Sequence, residues 1–139
     1  VLGTPEWIQY LFWLHFAEGS YMPNRLVGLV FELVHRRVPF FIKPITSMIK
    51  SQVFSARVVP RLNEQLNYIE ATLEKAPWLA GDEFTAADIQ MGAALILSGA
   101  QSSSEIPRPK LTDYIMRLEN RPAYQRTIEV AGPLRFSLK

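Results

Sequence analysis

A chain of 139 residues is long enough to enclose one hydrophobic core, and 48% apolar against 20% charged side chains excludes a disordered polypeptide. The absence of cysteine excludes a disulfide scaffold and a thiolate nucleophile, and leaves His15 and His35 without the partners an ordinary structural zinc site needs, so no metal is expected. A net charge of +2, split into six basic and three acidic residues over 1–60 and nine and ten over 61–139, is too dilute for a nucleic-acid face; with no run of 18 uncharged apolar residues either, neither nucleic acid nor a membrane is expected as a partner.

Helical periodicity runs through the chain and no alternating strand pattern competes with it, so the expected fold is an all-α multi-helix bundle occupying residues 1–139. Thr4-Pro5-Glu6 supplies a capping hydroxyl, a proline suited to the first helical position and an acid for the first turn. The helix it starts runs through an aromatic stretch to about Glu18. Gly19-Ser20 and Pro23 then interrupt the pattern, and a second segment, Asn24 to Arg37, carries Leu26, Leu29, Val30 and Leu33 at helical spacing. One long kinked helix accounts for both pieces. A helix from about Pro44 past Lys75 is bent or split at Pro60; beyond it Leu62, Leu66, Ile69 and Leu73 form an inward stripe, with Asn63, Glu64, Asn67, Glu70 and Glu74 on other faces.

The next helix starts at Thr85, and its start is the most specific signal in the chain. Thr85 and Asp88 stand at capping-box spacing, so the carboxylate can reach back to the amide of Thr85. Phe84 and Ile89 are placed to close a hydrophobic staple over the same turn. The helix is expected to run to about Gly99 with Ile89, Ala93, Ile96 and Leu97 inward. Residues 101–109 read as a loop. A helix from Lys110 to Asn120 turns Leu111, Tyr114, Ile115 and Leu118 inward, a short last helix follows Pro122, and 134–139 form a loosely docked tail.

No Ser-His-acid spacing and no phosphate-cradling glycine loop is present, so no catalytic residue is expected in this chain. The string Trp78-Leu-Ala-Gly-Asp-Glu-Phe-Thr-Ala-Ala-Asp-Ile89 closely resembles the signature of the C-terminal helical domain of cytosolic glutathione S-transferases. Tyr10 to Ser20 resembles the opening helix of that domain in fungal and bacterial members. Pro109-Lys110-Leu111 through Arg121-Pro122-Ala123-Tyr124 to Gly132-Pro133 is similar to its closing pattern. The three matches lie in the family's order.

The resemblance implies a two-domain parent. Its thioredoxin-like domain precedes the helical one, binds glutathione as co-substrate and controls the thiol that attacks a small hydrophobic electrophile. That domain is absent from this chain, which opens on Val1 rather than methionine and is therefore expected to be a piece of a longer protein, inactive alone. By the same resemblance Tyr10, Trp13, Leu14 and Ala17, with Tyr21 at the mouth, line the hydrophobic pocket, and the first helix contributes to a homodimer contact. Phe12 and Phe16, on another side, are expected in the core. The resemblance also implies a cytoplasmic detoxifying enzyme. The alternative is a non-catalytic protein-interaction module built on the same domain.

Overall fold

The computed structural model describes residues 2–100 and 106–132, and among these the regular elements are all helical. Helix α1 spans Pro5–Phe16, α2 Met22–Arg37, α3 Lys43–Val53, α4 Val59–Leu73, α5 Ala86–Leu97, α6 Pro109–Glu119 and α7 Pro122–Ala131. The expected all-α bundle is what the chain forms.

The first two helices are one continuous rod. Thr4 caps it, its hydroxyl accepting from the amide of Trp7 at 3.3 Å. The expected interruption is a π-helical turn, Ala17–Tyr21, in which the amide of Met22 donates to the carbonyl of Ala17 five residues back. Pro23 follows at once. A proline ring clashes with the carbonyl four residues earlier, and widening the preceding turn by one residue removes that conflict without ending the helix. The device recurs between α3 and α4. The π-turn Phe54–Val58, with the amide of Val59 donating to Phe54, immediately precedes Pro60.

The two wide turns face each other and share partners. The Asn24 amide donates to the carbonyl of Val58 at 3.3 Å, and Gln65 donates to the carbonyl of Ser20 at 2.8 Å. Asn24 also donates to Gln65 at 3.4 Å. Each helix thus satisfies a carbonyl in the other's wide turn.

The core is built from α1, α4, α5 and α6. Trp13, Ala17, Tyr21, Leu66, Ile69, Met91, Leu95, Leu111 and Tyr114 are its central members. The inward stripes expected on α4 and α6 are buried as read. The expectations for α5 and for Phe12 of α1 are corrected. Helix α5 buries Ala87, Asp88, Met91, Gly92, Ala94 and Leu95, while Ile89 is 59% exposed and Ala93, Ile96 and Leu97 are half-buried. This helix is apolar on every side, so its periodicity carries no face information. Helix α2 buries only Gly28; Leu26 and Val30 are exposed, because the rod runs past the core. On α1 it is Trp13 that enters the core, and Phe12 is 40% exposed beside Tyr68. The expected tail at 134–139 and the loop residues 101–105 lie outside the described residues.

Candidate functional site

Asp88 is fully buried and organises three segments. Its Oδ2 accepts from the amide of Thr85 at 2.9 Å, the carboxylate half of the capping box, and also from the Thr85 hydroxyl at 3.1 Å. Its Oδ1 accepts from the amide of Leu79 at 3.0 Å and the phenol of Tyr114 at 3.1 Å. The carboxylate therefore ties the start of α5 to the Trp78–Gly81 turn and to α6. Leu79 sits in that turn because Trp78 and Gly81 exchange both backbone hydrogen bonds, with Gly81 at φ +129°, a conformation that favours glycine. Burial first, and then the adjacent Asp88 charge, pushes the Tyr114 phenol far above its ordinary value. The two carboxylate oxygens of Asp88 each accept two hydrogen bonds from these segments. Of the staple pair, Phe84 meets Trp78 edge-on at 5.0 Å and carries the Arg121 guanidinium 3.5 Å from its ring centroid, whereas Ile89 stands exposed on the wall of a groove.

The five residues read as a pocket wall do not share one. Trp13, Ala17 and Tyr21 have no exposed surface, and Leu14 is packed partly against the core. The reason is that this helical face meets α4 and α5 inside the domain. Tyr21 is held there by its hydroxyl, 2.6 Å from that of Ser98; Ser98 itself donates to the carbonyl of Leu95, so Tyr21 is the donor to Ser98. Trp13 stacks on Tyr68 at 5.3 Å, and its Nε1 is a buried side-chain donor without a partner. Of the five, Tyr10 lines a cavity. That cavity, of about 730 Å³, lies between the start of α1 and the loop before α5, with Trp7, Tyr10, Ala80 and Thr85 on its walls and Glu6, Asp82 and Glu83 at its rim.

A second cavity of about 360 Å³ lies between α5, the end of α6 and α7. Ile89, Gly92, Ala93, Ile96 and Leu118 give it an apolar wall, and Arg121 and Tyr124 stand at its side. No group of three or more histidine, aspartate or glutamate side chains among the described residues is placed to hold a metal ion.

Sequence reasoning missed one cluster altogether. Asn63, Asn67 and Glu70, read as the outer face of α4, hold the start of α6. Glu70 accepts from the amides of Lys110 and Leu111 at 3.0 and 2.7 Å, capping a helix whose own N-cap, Arg108, offers no acceptor. The buried Arg108 guanidinium donates to Asn67 at 2.8 and 3.0 Å and to Asn63 at 3.1 Å. The i, i+4, i+7 spacing of these three residues was the available signal.

The family model for the glutathione S-transferase C-terminal domain matches residues 34–122. The chain belongs to the glutathione S-transferase C-terminal domain family. It is 28% identical over 115 residues to Glutathione S-transferase 3 of Schizosaccharomyces pombe, a match covering 83% of this chain and 48% of that protein. The chain thus spans about half the length of this curated relative. No solved structure matches it. The glutathione S-transferase match includes the whole Asp88 network, from Leu79 to Tyr114, whereas α1, which carries Tyr10, lies outside residues 34–122.

Proposed function

We propose that this chain is the helical half of a glutathione transferase whose full-length parent joins the glutathione thiolate to small hydrophobic electrophiles, in a detoxifying role in the cytoplasm. The observation that carries this reading is the family match over residues 34–122 in a chain that spans about half of a curated glutathione S-transferase. The chemistry then rests with the other half, because thiol activation needs a group that lowers the sulfur pKa beside the bound glutathione. This chain supplies the apolar wall. Tyr10, with Trp7 beside it and Leu14 behind, is the part of the expected wall that keeps open surface; Trp13, Ala17 and Tyr21 support it from the core.

The same half supplies subunit contacts in a homodimer. Leu26, Val27, Val30 and Val34 leave an exposed apolar face on a helix that buries one residue. The test compares this chain with its full-length parent, using glutathione and a chromogenic aryl halide. Turnover by the parent and none by the 139-residue chain is expected, and Tyr10→Ala in the parent should raise KM for the electrophile while leaving KM for glutathione unchanged. A parent that associates as a dimer but turns over no electrophile would establish the non-catalytic module instead.

A further inference from the structure

We propose that the tip of the α2–α3 hairpin is a peripheral docking surface for anionic lipid bilayers. Residues 33–63 contain no acidic side chain and six basic ones, Arg36, Arg37, Lys43, Lys50, Arg57 and Arg61. Glu32, just before this stretch, ion-pairs with Arg36 at 2.9 Å and Lys50 at 2.6 Å. Arg37 and Lys43, which flank the connecting loop, are exposed and have no carboxylate at ion-pair distance among the described residues. Between them Phe40 and Phe41 are 81% and 67% exposed, their rings meeting edge-on at 5.7 Å as one wedge. Ile45 and Met48, on the first turns of α3, extend the apolar surface. Two aromatic rings with unpaired cations on either side match a bilayer interface, where rings enter the acyl boundary and arginine and lysine stems reach back to lipid phosphates. A second copy is disfavoured by charge: a two-fold contact through the tip sets Arg37 and Lys43 against their own counterparts, with no acid in reach within 33–63. A nucleic acid would use the cations and leave Ile45 and Met48 in water. Among the described residues no helix is long and apolar enough to cross a membrane, and this surface contact revises the expectation of no membrane partner, which rested on the missing span and the mild overall charge.

The test sediments the 139-residue chain with vesicles of phosphatidylcholine alone and of phosphatidylcholine with phosphatidylserine. Binding to the phosphatidylserine vesicles is expected, weakening with salt, with little binding to phosphatidylcholine. Each cation contributes about fivefold to partitioning, so the pair Arg37→Gln and Lys43→Gln should lower it roughly twentyfold or more. The pair Phe40→Ser and Phe41→Ser should lower it about a hundredfold or more, from the loss of apolar burial. All four side chains are exposed, so the variants should keep the parent's helical spectrum and urea midpoint. Absence of binding to either vesicle would overturn the proposal. So would binding indifferent to the phenylalanine pair, which marks a general polyanion contact such as RNA, or a change of sedimented mass in that variant without vesicle binding, which marks a second copy at the tip.

Discussion

Asp88 accepts from Thr85, Leu79 and Tyr114, so the consequences of removing its carboxylate exceed those of losing a helix cap. A capping threonine replaced by alanine costs about 1 kcal/mol. Asp88→Ala leaves two backbone amides and a buried phenol without acceptors, and should cost about 3–5 kcal/mol. Urea unfolding of the two variants checks the difference; equal losses would mean that the bonds to Leu79 and Tyr114 contribute nothing. The alkaline limb tests the same network. Burial raises the phenols of Tyr21 and Tyr114 above their ordinary value of 10, so the stability they contribute is complete below that pH and is lost as pH rises beyond it. Tyrosinate absorbance from these two residues should therefore appear together with loss of helical dichroism rather than before it. The spacing of Thr85 and Asp88 was legible in the sequence because the two groups are three residues apart. The bonds to Leu79 and Tyr114 were not, since nothing local links position 88 to positions 79 and 114. Trp13, Ala17 and Tyr21 show the same limit: their common helical face was readable, but not whether that face meets solvent or α4 and α5.

Among the elements, α6 depends on a neighbour for its start. Glu70 of α4 caps the amides of Lys110 and Leu111, so Glu70→Ala should lower stability by about 1–2 kcal/mol. Those two amides should also lose hydrogen-exchange protection before the rest of the helix does. If their protection is unchanged, the cap is not a source of order. The stripes of α4 and α6 were readable because each has one apolar and one polar face, and the polar face of α4 was readable as polar. Its role was not, because Asn63, Asn67 and Glu70 find their partners about 40 residues downstream. The two prolines inside long helical patterns, Pro23 and Pro60, gave the positions of both irregularities. That each becomes a π-turn instead of a break follows from the reciprocal bonds of Asn24 and Gln65, which only the folded pair of helices can make.

Stability is unevenly spread over the whole molecule. The core draws on α1, α4, α5 and α6, while α3 buries no residue and α2 only Gly28, where an added Cβ would stand 3.3 Å from the Phe54 ring. Beyond that close approach the hairpin is joined by polar contacts: Glu32 with Lys50, and the His35 ring Nδ1 2.9 Å from the Thr46 hydroxyl. Regions with few buried apolar contacts open locally at low free energy, ahead of global unfolding. The pH dependence of that opening follows from Glu32. The hydrogen bond from Lys50 first, and then that from Arg36, hold its carboxyl below the ordinary value of 4.5. A depressed carboxylate contributes stability that is present above the unfolded value and is lost as pH falls through the folded one. Exposure to solvent keeps the effect small, so it should show in the hairpin and not in the global midpoint. Hydrogen exchange, corrected for intrinsic rates, should show α3 opening before α4 and α5 near neutrality, with a gap that widens below about pH 4 as Glu32 is protonated. Glu32→Gln should show the wide gap at every pH. If α3 exchanges together with α4, the hairpin shares the stability of the core.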